Sequence, residues 1–275
     1  IAILGSSFVA SLAYTFSDSF WYNAVEAEVY AMATLLIAVL FWLGLRWEQD
    51  MDKPKGNRWL LIISLVIGLS FGVHFMALLT IPSIGFLYYF KHYKTITITN
   101  FIVANIIVIS VLLFIFKLLL PLTMGFFGQS EVFMVNNLGL PFNSGTIFVT
   151  VVLIAFFYFG LNYTKKNGYI QFNTLLLSIL FILIGFSTWM MLPIRANANT
   201  PINENKPSDA AEVLAYYNRE QYGEQKLFYG PQFSDTYSGL DPVTPYLDDK
   251  PNYERDYKTK KYIITNDYIN AKQNT

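Results

Sequence analysis

The chain has no cysteine, which excludes disulfides, thiolate metal sites and a cysteine nucleophile and leaves the redox compartment open. Histidine is nearly as scarce: His74 and His92 are the only two in 275 residues, too few and too far apart in sequence to build a histidine metal centre. Charged residues make up 14% of the chain, against about a quarter in an ordinary soluble domain. The formal net charge is +0, so no basic surplus suggests nucleic-acid binding. Phosphate-cradling loops of the P-loop or GxGxxG type are missing, and the Ser and Thr of "FVASLAYTFS" have no partner histidine for a hydrolase triad. Nor do charges sit in the middle of the apolar runs, as an ion pump or proton relay needs.

What the chain has instead is apolar length. Hydrophobic residues make up 54% of it, and mean hydropathy is +0.38. Runs without acidic or basic side chains fall at about residues 1–16, 29–45, 59–90, 96–116, 145–164 and 172–194. A helix crosses the hydrocarbon in roughly 20 residues, so five of these runs suit one crossing each. The run 59–90 is too long, and Gly68, Gly72, His74 and Pro82 interrupt it. Two short helices, 59–72 and 75–90, joined at "FGVHF" are expected.

Basic residues support that hairpin. It places the linkers 46–58, 91–94 and 164–168 on one side, with Arg46, Lys53, Lys55, Arg58, Lys91, Lys94, Lys165 and Lys166. The loops 17–27, 73–74 and 121–144 on the other side carry no Lys or Arg. By the positive-inside rule the first set faces the cytoplasm. The expected fold is an all-α polytopic membrane protein of about seven crossings, two of them short. Residues 1–193 form the membrane domain, and 194–275 an extracytoplasmic segment that begins a soluble domain. Within that segment Ser208 is the N-cap candidate for a helix running to about Tyr222, and the end reads as loops or an incomplete extracytoplasmic domain. The stretch 121–144 is expected as an apolar loop folded over the outer face. The chain opens on Ile1 inside an apolar run with no charged region before it, so it is expected to be a fragment lacking earlier helices.

The polar residues of the outer side are the candidates for chemistry. Trp21 and Tyr22 suit an interfacial aromatic belt. Glu26 and Glu28, two apart, point about 200° from each other on a helix, and Glu28 stands at the mouth of the next span. His74 lies at the turn of the hairpin. Lys117 lies near the outer end of its helix and can reach outward. Arg195 follows "WMMLP" and carries the planar fork that suits phosphate. Each also has a plainer reading as an interfacial anchor or a satisfied structural residue.

The stretches "SFVASLAYTFSDSFWYNAVEAEVYAMATLL", "GLSFGVHFMALLTIP" and "LPIRANANTPINENKPSD…YYNREQYG" together resemble a bacterial membrane family common in Bacteroidetes. That family is similar to the animal protein O-mannosyltransferase that modifies plexin-type receptor domains, within the GT-C class of glycosyltransferases. The resemblance implies transfer of a sugar, mannose by analogy, from a polyprenyl-phosphate carrier to hydroxyls of exported proteins at the outer face of a bacterial inner membrane. No cofactor is expected beside the lipid-linked sugar donor, metal dependence stays open, and the resemblance sets the main catalytic acid upstream of Ile1, so that the fragment alone would be inactive. Glu28 would orient the acceptor or a basic partner, with His74, Arg195, Trp21 and Glu26 around the substrate. Where many GT-C relatives carry a Lys at the hairpin turn, this chain has His74. Two other readings stand beside it: a non-catalytic membrane scaffold that binds partners through residues 194–275, and a transporter, which predicts paired broken helices.

Overall fold

The computed structural model describes residues 1–26, 28–198, 200–220, 241 and 243–270. It is mostly helical and divides into two compact units, Ile1–Lys117 with Phe157–Trp189, and Leu118–Phe156 with Met190–Thr275. Among the described residues four helical runs are long and apolar enough to cross a membrane: Tyr30–Asp50, Ile98–Asn136, Ser144–Lys166 and Ile170–Asn197. Ala2–Thr15 and Arg58–Ser70 are shorter apolar helices. An all-α membrane fold is therefore what the sequence builds.

The first unit begins with α1 (Ala2–Thr15) and α2 (Asp18–Val25), followed by α3 (Tyr30–Asp50). Helix α3 buries Ala33, Leu36, Leu40, Leu43, Gly44 and Trp47, a stripe at three- and four-residue spacing. Its opposite face shows Leu35, Phe41, Trp42 and Leu45. A helix apolar all round is at home in a bilayer.

Helix α4 (Arg58–Ser70) ends at Phe71–His74, a short 3-10 helix spans Phe75–Leu79, and α5 (Thr80–His92) follows. The contacts of α3 fix their directions. Trp59, at the start of α4, meets Trp42 edge-on and donates from Nε1 to Asp50 at 2.8 Å, near the end of α3. His74, after α4, meets Tyr30 at the start of α3. Tyr88 then stacks on Trp47, and Lys91 pairs with Glu48 at 3.2 Å, back at the end of α3. The chain goes out along α4 and returns along α5, as the charge pattern required.

Helices α6 (Ile98–Leu113) and α9 (Ile170–Phe186) complete the unit. Thr97 opens α6 with a reciprocal cap to Asn100, which also accepts from the Tyr89 hydroxyl at 2.6 Å. At the far end of this helical run Phe116 lies 5.3 Å from Phe75. Helix α9 packs along α4 at a crossing of two glycines. A Cβ on Gly68 would strike the Ile182 carbonyl, and one on Gly185 would lie 2.6 Å from the Leu69 nitrogen. Backbone touches backbone there, the close approach that small residues permit in membranes. The turn into α9 is made by Gly168 at φ +71°, with Gly168 and Tyr169 donating to Lys165 and Thr164 at the end of α8 (Ser144–Lys166).

These contacts sort the cations. Arg46, Lys53, Lys55, Arg58, Lys91, Lys94, Lys165 and Lys166 lie at one end of the unit, the basic end. Of its nine Lys and Arg residues only Lys117 lies at the other.

The second unit corrects four expectations. Residues 121–144 are not a loop: α7 (Leu120–Asn136) occupies most of them, and only 137–143 turn before α8. Pro121 sits in the first turn of α7, where its missing N–H removes no helical bond. Gly125 and Gly128 are not breakers but the face on which α11 (Ala210–Asn218) rests, Gly128 against Ala210 and Ala211. The cap of α11 is Asp209 rather than Ser208: its Oδ1 accepts from Ala211 and Glu212 N–H at 2.9 and 3.1 Å. Glu212 reaches back to the Ser208 N–H and hydroxyl. Helix α11 stops at Asn218, with Arg219 left-handed at φ 58°, short of Tyr222. The end of the chain, read as loops, forms an antiparallel hairpin of β1 (Tyr246–Asp256) and β2 (Lys261–Asn270).

Candidate functional site

In the first unit the end opposite the basic one collects the polar outer residues. Glu26 closes α2 in an extended conformation, and Glu28 stands two residues before α3; both are exposed. Trp21 is 51% exposed and stacks on Phe16 at 6.0 Å. His74 is half-buried. Its Nδ1 accepts the Met76 N–H at 3.0 Å, and its ring lies 5.7 Å from that of Tyr30. An Nδ1 that accepts a backbone N–H leaves Nε2–H as the donor of a neutral ring. Glu28 and His74 thus share the start of α3, one through Tyr30 and the other two residues away along the chain.

Beneath them lies an aromatic floor. Phe71 is 3% exposed and packs against Phe75, Phe116 and Phe186. Trp189 donates from Nε1 to the Phe71 carbonyl at 2.8 Å. Lys117 stands at the rim on a π turn, Phe114–Leu119, with its Nζ 5.1 Å from the centre of the Phe116 ring. Such turns recur at functional sites. Lys117 is exposed, and sequence alone gave it only an outward reach. What marks it is that it is the one cation of its unit at this end. This end of the unit thus carries an exposed acid, a half-buried imidazole and an exposed cation on elements around one aromatic cluster.

Arg195 belongs to the second unit, exposed in the last turn of α10 (Met191–Asn197). That unit has a polar centre of its own, which sequence reasoning did not anticipate. Glu131 of α7, fully buried, accepts from the backbone N–H groups of Asn143 and Thr146, the latter at 3.0 Å. It thereby closes the start of α8, where Gly145 backs directly onto it. The Tyr262 hydroxyl lies 3.3 Å from Glu131 and 3.0 Å from the Nε of Arg255. Arg255 also donates to the Asn143 side chain at 2.8 Å and pairs with Asp209 at 3.3 Å. Burial pushes the Asp209 carboxyl above its ordinary range, its backbone hydrogen bonds and Arg255 pulling the other way. Glu212 is raised as well, by burial and then by Asp209. The Asp209 and Glu131 side chains reach no solvent, so this network holds the β-hairpin, α7, α8 and α11 together and meets no substrate. The one sequence signal for it was Asp209 followed three residues later by Glu212, a capping-box spacing. Among the described residues no three His, Cys, Asp or Glu side chains are grouped so as to hold a metal ion.

The fold is that of a multi-pass membrane protein, by the length and apolarity of its helices. Residues 1–97 match the family described as the protein O-mannosyl-transferase TMEM260 N-terminal domain. The match takes in α1 to α5, with Trp21, Glu26, Glu28 and His74, and supports the relation to the animal O-mannosyltransferase. No curated protein and no solved structure matches the chain significantly.

Proposed function

We propose that the chain is the membrane part of a GT-C glycosyltransferase that moves a sugar, mannose by analogy, from a polyprenyl-phosphate carrier to hydroxyls of exported proteins. The observation that carries this reading is the match of residues 1–97 to a family named for protein O-mannosyl transfer, at the segment that holds Glu28 and His74. The chemistry is consistent with it. A lipid phosphate leaves, so a cation and an N–H donor at the membrane surface steady its developing charge. The acceptor hydroxyl gives up a proton to a carboxylate. Lys117 and the His74 Nε2–H are assigned to the phosphate, and Arg195, on the resemblance alone, to substrate binding. Glu28 orients the acceptor or a basic partner. In this reading the basic end is cytoplasmic, about seven crossings span a bacterial inner membrane, and residues 194–275 are periplasmic.

The test compares glycoproteins of the exported proteome in cells with and without the full-length gene. Loss of a defined set of hexose-bearing peptides supports transfer. Unchanged glycan profiles would move the assignment to a scaffold that binds partners through 194–275.

A further inference from the structure

The first unit holds a cavity of about 690 Å³ among α3, α4, α5, α6 and α9, which the transfer reading leaves unused. Its volume is that of a small-molecule site. Ile67, Val103, Ile179 and Ile182 typify its walls, and Val103 and Ile107 of α6 are about half exposed at 48% and 58%. A wall of that kind opens sideways, toward lipid. Trp47, Tyr93, Thr97 and Asn100 of the lining stand at the basic end, with Ser64 and Ser178 further along the walls.

Trp47 supplies the second observation. The residue is 8% exposed, its ring is stacked on Tyr88 at 6.1 Å, and its Nε1–H is buried without an acceptor among the described residues. A buried indole N–H ordinarily finds a partner. Asn100 and Thr97 of the lining cap α6, and Tyr89 donates to Asn100, so these side chains are already partnered. The missing acceptor belongs to whatever fills the cavity.

We propose that the cavity binds one acyl chain of an anionic glycerophospholipid from the leaflet at the basic end, with an ester carbonyl accepting from Trp47 Nε1–H. The head group then lies beside Tyr93 and Lys94. Lys94 is exposed and next in sequence to a lining residue, while the neighbouring Lys91 is already committed to Glu48 and Asp52. The acids Glu48, Asp50 and Asp52 at this end are themselves paired with Lys91, Lys53, Arg58 and His92. Of the cations at this end, Lys94 follows a lining residue in sequence and has no acid partner among the described residues, and it is assigned to the phosphate. A polyprenyl phosphate fits less well because it has no carbonyl for the indole. The inference does not depend on the transfer reading.

The experiment is lipid extraction and native mass spectrometry of the full chain purified in mild detergent. Wild type should retain about one anionic glycerophospholipid per chain. Trp47→Phe keeps the stacked ring and removes only the N–H, and should lower retention about fivefold, the scale of one hydrogen bond. Ser178→Trp fills the cavity and should abolish retention, and Lys94→Gln should shift the retained species toward zwitterionic lipid. The proposal fails if no lipid is retained, if a polyprenyl phosphate is retained instead, or if Trp47→Phe leaves occupancy unchanged. Trp47→Phe decides alone should Ser178→Trp not fold.

Discussion

Replacing Arg255 by Met tests whether the second unit is held by its buried charges. The Asp209 side chain is fully enclosed and that of Arg255 is 12% exposed, so the pair is shielded from water on both sides. Removing the guanidinium leaves the Asp209 carboxyl with its backbone N–H donors but no cation, near Glu131, whose charge already disfavours ionisation. Breaking one partner of a buried pair costs about 3–5 kcal/mol. Through local opening, that is roughly a 10²- to 10⁴-fold loss of amide-exchange protection at Tyr262 and its neighbours in β2. The size should depend on pH. Burial raises the folded-state pKa of Asp209 above its unfolded value, so over that interval the folded state holds a proton the unfolded chain has released. Stability then falls as pH rises through the interval. Without Arg255 the folded value rises further, the interval widens, and the variant should be weakest at alkaline pH and recover toward pH 5. Asp209→Asn in the Arg255→Met background should restore most of the protection and flatten the profile, apart from a smaller slope of the same sign from Glu212. The measurement is hydrogen exchange of the purified chain from pH 5 to 8. Equal protection in the single and double variants at every pH would refute the argument.

Three further outcomes follow from the first unit and the candidate site. Gly68→Ala or Gly185→Ala forces a methyl against backbone at the α4–α9 crossing and should cost at least the 1–3 kcal/mol of an overpacked core, read as a fall in detergent melting temperature. Gly160→Ala, which meets only the Leu176 side chain at 3.3 Å, should be neutral. In the full-length enzyme, Lys117→Ala, Arg195→Ala and Glu28→Gln should each lower transfer at least about tenfold, one transition-state contact of about 1.4 kcal/mol, in a lipid-linked sugar assay. Glu26→Gln should cost much less, and the reverse order for the two glutamates would mean the wrong face was chosen. Single cysteines at Lys55 and Glu26, both exposed in a chain with no native cysteine, should label from opposite sides of sealed vesicles. Labelling from the same side would overturn the α4–α5 hairpin.

The parts of this fold that were legible in the sequence are those set by local rules. The break at "FGVHF" was readable because 59–90 exceeds a bilayer, and the eight cations agree with a return at that point. Trp47 with Tyr88, Lys91 with Glu48, and Tyr30 with His74 then fix the directions of α4 and α5 against α3. The misreading of 121–144 came from treating Pro121, Gly125 and Gly128 as punctuation. Proline in a first turn loses nothing, and a glycine facing another helix shortens the distance between axes instead of ending one. Whether a glycine breaks or packs depends on what stands opposite it. For Gly128 that is Ala210 and Ala211, more than eighty residues away in the chain.

The same distance in sequence hid the buried network and the orphan indole. Asp209 and Arg255 are an ordinary helix cap and an ordinary strand cation when read singly; only their meeting makes a low-dielectric pair. Lys117 shows the converse. Its charge was visible, but its weight comes from the fold having drawn every other cation of its unit to the opposite end. A phosphate arriving at the His74 end of that unit meets one positive side chain, so charge reversal there should be felt more strongly than at any of the eight others. Lys117→Glu should therefore abolish transfer while Lys55→Glu leaves it near wild type, measured with the same lipid-linked donor. Comparable losses in the two variants would show that the cations act through membrane orientation and not through the site.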